Sequence, residues 1–210
     1  MTSNRSLPLA LGLVLAACGA TEKVPASFGG TLLGAPFVPV NSTGIVVEST
    51  ACQFFGQGTH AVVEVQFSTV GGICARAEAN GFCIQRPDAV NVQVTVDRWD
   101  AAGNPVALRP GTYDTSTHGV ADASGVVTRF WAYASRTGPA CSPLSSPKEW
   151  SVDTLVLDEV GPARLRGSAT AHASDGSTLA GSFDVPVCGA SDAAFCASQK
   201  EGCQSPACVP

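Results

Sequence analysis

The sequence predicts an all-β fold, an antiparallel β-sandwich followed by a disulfide-rich C-terminal tail containing a short helix. Three observations carry this. Runs such as AVVEVQFST (61–69) and AVNVQVTVDRWD (89–100) alternate apolar with polar residues, and successive strand side chains face opposite sides of a sheet. These runs lack the continuous apolar character of buried parallel strands. Between them the chain is punctuated by 22 Gly and 14 Pro, with a single Met and few charges, a balance that favours strands and turns over helices.

The elements follow in order. MTSNRSLPLALGLVLAAC opens with Arg5 and continues as an apolar run from Leu7 to Ala17. A spanning helix needs about 20 residues, whereas a signal-peptide core needs about 7–15 followed by small residues. Leu15-Ala16-Ala17-Cys18 resembles the lipobox of bacterial lipoproteins. The resemblance implies diacylglyceryl transfer to the Cys18 thiol, cleavage after Ala17, acylation of the new amino group in many bacteria and, with Gly19 in place of Asp, an outer-membrane address. The chain then divides into a signal peptide (1–17), a lipidated Cys18 with its tether (18–27), a sandwich domain (28–189) and a cysteine-rich tail (190–210). Firm attachment takes two or more acyl chains, each buried methylene contributing about 0.8 kcal/mol. The tether, GATEKVPAS, reaches at most about 3.3–3.6 Å per residue and keeps the domain near the bilayer.

Within the domain, strands are expected at 44–49, 61–69, 89–100, 112–117, 126–135, 151–160, 163–174 and 178–187. Turns are expected at Asp122–Gly125, Val160–Ala163 and Asp175-Gly176, the last a hairpin signal. Pro110-Gly111 fits a type II turn with a positive φ at glycine. The one helical pattern lies at Ser191–Lys200, where Ser191 could cap it.

LRPGTYDTS (108–116) resembles the turn-plus-tyrosine segment of immunoglobulin-like and prealbumin-like sandwiches. ARLRGSATAHASDGSTLAGSFDVPVC (163–188) is similar to the closing hairpin of uncharacterised cysteine-rich bacterial β-sandwich lipoproteins, in which a Gly-Ser-Phe strand ends in a cysteine. Gly181-Ser182-Phe183 and Cys188 hold those places. These resemblances imply a fold and an envelope location, and no activity.

Nine cysteines are present. If lipid takes Cys18, eight remain: Cys52, Cys74, Cys83, Cys141, Cys188, Cys196, Cys203 and Cys208. An even number in an exported chain reads as four disulfides. The local expectations are Cys74 with Cys83 and at least one pair within Cys188–Cys208. Zinc is disfavoured because Cys203 and Cys208 have no second close pair or histidine beside them.

The chemistry-bearing residues are dispersed. Removing residues 1–17 leaves 11 basic against 17 acidic side chains, which argues against a nucleic-acid partner. His60, His118 and His172 are far apart, with no two-histidine zinc spacing. Gly167-Ser168 and Gly181-Ser182 lie inside expected strands, outside the strand-to-helix context of a serine nucleophile. Asp158 and Glu159 point to opposite faces of a strand. Asp122 and Asp175 begin polar loops with too few acids for a dedicated calcium site.

One constellation stands apart. In VTRFWAYAS (127–135), Arg129, Trp131 and Tyr133 share a face, with Phe130, Ala132 and Ala134 opposite. If the Phe130 face is the core, this outward aromatic pair beside a guanidinium is a platform for a sugar ring or a partner side chain; the alternative is that Trp131 and Tyr133 are packing anchors of the core or lie beneath the 138–149 loop. The expected function is therefore a lipid-anchored envelope module, binding or structural, with a protein or glycan partner, no cofactor and no enzymatic activity. The alternative is an envelope hydrolase assembled from distant residues such as His60, His118 and Asp114.

The maturation reading predicts that the intact protein from membranes begins at Cys18 and carries acyl mass, and that Cys18→Ser abolishes both cleavage and membrane retention. Mass spectrometry of wild type and variant checks this.

Overall fold

A computed structural model of the chain describes residues 27–47, 61–80, 84–147, 150–189 and 207–209. The strands are β1 (Gly29–Leu32), β2 (Ala35–Phe37), β3 (Asn41–Val47), β4 (Ala61–Ser68), β5 (Ile84–Gln85), β6 (Val90–Trp99) and β7 (Gly111–Asp114), then β8 (Val127–Thr137), β9 (Pro143–Leu144), β10 (Trp150–Val160), β11 (Arg164–Ala173), β12 (Thr178–Pro186) and β13 (Ala207–Cys208). One helix, α1 (Ile73–Asn80), follows β4.

The strands form two antiparallel sheets packed face to face, the expected sandwich. One has six strands in the order β2-β1-β12-β11-β10-β7, the other five in the order β3-β4-β6-β8-β9. A small parallel pair joins β5 to β13. The alternation read from the sequence is what builds the interior. Val63, Val65 and Phe67 of β4, Val92, Val94 and Val96 of β6, and Phe130, Ala132 and Ala134 of β8 face Leu155, Leu157, Leu165, Leu179, Phe183 and Val185 of the other sheet. Phe67, fully buried, stacks on Phe28 at 3.8 Å between centroids and meets Phe183 edge-on at 6.3 Å, joining both sheets through one ring.

The two segments that resemble other sandwiches have physical roles. Tyr113 is nearly buried, and its hydroxyl donates to the Arg109 carbonyl at 2.7 Å. This is the backward bond of a tyrosine corner, and it fixes how the chain turns into β7. In the closing hairpin, a Cβ at Gly181 would fall 2.2 Å from the Ser27 carbonyl oxygen, so only glycine lets the incoming chain cross β12 there. Ser182 donates its N–H to the Ser27 hydroxyl at 3.0 Å, and Phe183 fills the core.

Several expectations are corrected. Gly111 does not take a positive φ; it opens β7 as extended backbone, so Pro110-Gly111 is not a type II turn. Strand β7 ends at Asp114 rather than Thr117, because the Asp114 carboxylate accepts from the Ser116 N–H at 3.0 Å and turns the chain. Residues 73–80, given no helix by the sequence reading, form α1; three alanines favour helix, but eight residues show too little periodicity to betray it. Cys74 does not pair with Cys83. It bonds to Cys188, across a separation of 114 residues, and Cys141 bonds to Cys208. Cys188 and Cys208 therefore bond to the body of the sandwich, and the expected pair within Cys188–Cys208 rests on Cys196 and Cys203, outside the described residues. Cys18, Cys52, Cys83, Cys196 and Cys203, His60 and the expected helix at 191–200 lie outside the described residues.

The Cys74–Cys188 bond ties α1 to the end of β12, where Cys188 also donates its N–H to the Gly44 carbonyl of β3 at 2.9 Å. A loop of roughly 100 residues loses about 4.7 kcal/mol of unfolded-state freedom on cross-linking in the chain-entropy view. Tyr113→Phe, which keeps the ring and removes the corner bond, is expected to cost about 1 kcal/mol; urea unfolding of the variant against wild type measures it.

Candidate functional site

The register of the five-stranded sheet places the outward residues of β3, β4, β6 and β8 in rows. Ile45, Glu64, Thr95 and Trp131 form one row; Thr43, Gln66, Gln93 and Tyr133 the next; Asn41, Ser68, Asn91 and Ser135 a third. On the opposite side of the first row stand Val62, Asp97 and Arg129. Alternation assigns this face to water. The structure buries much of it: Ile45, Val62, Glu64, Ser68, Thr95 and Asp97 are each 5% exposed or less. Helix α1 lies against β3 on this side, with Ile73 buried and its N–H donated to Asn41 Oδ1 at 3.3 Å.

A buried polar face must satisfy itself. Glu64 accepts from Gln66 Nε2 at 2.5 Å and from Thr95 Oγ1 at 3.1 Å. Desolvation raises its pKa, and the two hydrogen bonds oppose that rise. Because Nε2 of Gln66 is engaged with Glu64, the amide of Gln66 has a fixed sense.

Next to this network lies a cleft of about 230 Å³. Gln66, Asn91 and Gln93 form its amide floor, with Tyr133 and Ser135 beside them; Ile73 and Arg76 of α1, Gln85 of β5, and Arg136, Thr137, Pro143, Leu144 and Ser146 complete it. Tyr133 is 54% exposed and Leu144 45%, so the mouth is apolar and the floor polar. The Cys141–Cys208 bond and the β5–β13 pair stand at this end of the sheet, since Val209 donates its N–H to the Gln85 carbonyl at 3.0 Å.

The three residues expected as a platform do share the outward face, and Phe130 does face the core. They differ in availability. Arg129 donates to the fully buried Asp97 carboxylate at 3.0 Å and stacks over Trp99 at 4.6 Å; its guanidinium belongs to the framework. Trp131 is half-buried in the row of Glu64 and Thr95. Tyr133 retains an open ring at the cleft. The exposed aromatic ring thus lies one row along the sheet from Trp131, next to amides that alternation marks as outward but that only the register brings together. Gln85, Arg76, Ser135 and Arg136 gave no comparable signal in the sequence, because they reach the cleft from different elements.

The other candidate groups are committed locally. The Ser116 hydroxyl, above all, holds the Asp114 carboxyl below its ordinary range. His118 Nδ1 accepts from the Phe130 N–H at 3.3 Å, its ring edge-on to Phe130. His172 pairs on the surface with Asp153 at 2.9 Å. Among the described residues, no three His, Cys, Asp or Glu side chains gather as metal ligands. Comparison with protein-family models, with curated proteins and with solved structures gives no match to this chain.

The burial of Glu64 has a signed consequence. Its folded-state pKa lies above the unfolded value, so its contribution to stability is fully present below about pH 4.3–4.5 and is lost as pH rises through the folded pKa. Glu64→Gln keeps an acceptor for Thr95 and removes the charge. The variant is expected to gain on wild type by about 1.4 kcal/mol per pH unit across that window, measured by unfolding at a series of pH values.

Proposed function

We propose that the protein is a lipid-anchored binding module of the bacterial envelope, held to the outer membrane through Cys18, and that its ligand is a glycan received in the cleft of the five-stranded sheet. The observation that carries this reading is the pairing of an open tyrosine ring with a floor of amides, Gln66, Asn91 and Gln93, on adjacent strands. Sugars present both an apolar ring face and hydroxyls that donate and accept. An aromatic face serves the first; an amide, with two donors and an acceptor, serves the second.

The dimensions agree with a small unit of a longer chain. Pockets for drug-sized ligands run to about 300–1,000 Å³, so a space of about 230 Å³ suits one ring at a time. Both sides of the cleft are tied down, α1 by Cys74–Cys188 and the 139–144 segment by Cys141–Cys208. A site tied in this way loses little freedom on binding. The lipobox supplies the address and the short tether sets the distance from the bilayer.

A glycan array probed with the soluble domain tests the reading. Retention of one or more oligosaccharides is expected, with loss of about tenfold or more in Tyr133→Ala and in Gln93→Ala. Tyr133 is largely exposed, so its replacement should leave stability within about 0.5 kcal/mol. Loss of binding only in parallel with loss of thermal stability would make Tyr133 a packing residue and overturn the assignment.

A further inference from the structure

We infer that the saccharide held in the cleft is acidic, carrying a carboxylate, and that Arg136 reads that group; the inference rests on the glycan reading of the same cleft. The whole chain is acidic, with 17 Asp and Glu against 12 Lys and Arg. The cleft reverses that balance. Arg76 and Arg136 line it, and no Asp or Glu does among the described residues.

Three arginines of the sandwich are engaged by aspartates. Arg129 faces Asp97, Arg98 faces Asp122 and Arg164 faces Asp184. Arg136 has no such carboxylate among the described residues. Its backbone is fixed on both sides, paired with Val90 of β6 and Leu144 of β9, and its side chain is half-exposed. A guanidinium on a fixed strand, in the lining of a cleft that also holds neutral amides, is suited to a carboxylate, which it meets with two parallel hydrogen bonds. The neighbouring amides supply no competing negative charge. A neutral sugar would leave the guanidinium with no charge partner; an acidic one completes it.

The test uses the soluble, disulfide-bonded domain and pairs of probes that differ only at the carboxyl group: tetragalacturonate against its fully methyl-esterified form, and glucuronate-, muramate- and sialate-bearing oligosaccharides against their carboxyl-reduced counterparts. The acid form of at least one pair should be retained about tenfold better than its neutral partner, an advantage that falls as salt is added. Arg136→Gln should reduce binding of the acid form to the level of the neutral one. Arg136→Lys should recover part of the advantage, since it keeps the charge and loses the fork. Unchanged circular dichroism and thermal unfolding of both variants excludes loss of fold. Equal retention of acid and neutral forms overturns the inference and leaves the glycan reading standing. An acid preference that Arg136→Gln does not touch also overturns it. Retention of no glycan by the folded domain overturns both readings.

Discussion

Strand β4 has no wet side. All eight of its residues are buried, and that constraint organises the rest. Its apolar side, Ala61, Val63, Val65 and Phe67, meets the second sheet and forms the core. Its other side alternates Val62 with Glu64, Gln66 and Ser68, and these cannot be left bare of partners. The sheet answers with hydrogen bonds drawn from neighbouring strands: Gln66 and Thr95 on Glu64, Arg129 on Asp97. The polar face is therefore ordered before any ligand arrives. Its open margin, where Tyr133 and the amides reach the surface, inherits that order.

Much of the sandwich was legible in the sequence because alternation is a local property. Val90, Val92, Val94 and Val96 announce one face without reference to any other strand, and the boundaries of β4, β6, β8, β10, β11 and β12 fall within a few residues of where alternation begins and ends. Asp122, Gly125 and Asp175 announce their turns by their own chemistry: Asp122 Oδ1 accepts from the Ser124 and Val126 N–H groups, and Asp175 Oδ1 from that of Ser177. What alternation cannot convey is whether an outward face stays in contact with water. It marks Glu64 and Thr95 as outward, and outward is not the same as solvated: both are buried, at 5% and 2% exposed. Disulfide partners are likewise a property of the closed fold. Cys74 and Cys83 are near in sequence, but Cys188 is brought to Cys74 by the contact of β12 with β3, which no local signal records.

The cleft shows the same division. The aromatic signal at Trp131 and Tyr133 was readable, and so was the outward position of Gln66, Asn91 and Gln93. Their union was not, because it depends on a register in which Gln66, Gln93 and Tyr133 stand side by side. Arg136 was hidden more deeply. By parity it belongs with the core-facing residues of β8, yet it lines the cleft at the end of the strand, where β9 pairs with Arg136 and Thr137.

The crossing of the incoming chain over β12 has a mechanical side. Ser27 is clasped by Ser182, and β1 then runs antiparallel to β12 from Gly29↔Ala180 to Thr31↔Thr178. A tug delivered along that strand from its N-terminal end loads these ladder bonds together, in shear, rather than peeling them one after another. The tug passes next into β12 and, through its far end, into the Cys74–Cys188 link and the helix beside the cleft. A leash fastened at this end would thus load the β1–β12 ladder and the Phe28–Phe67 stack at the same time.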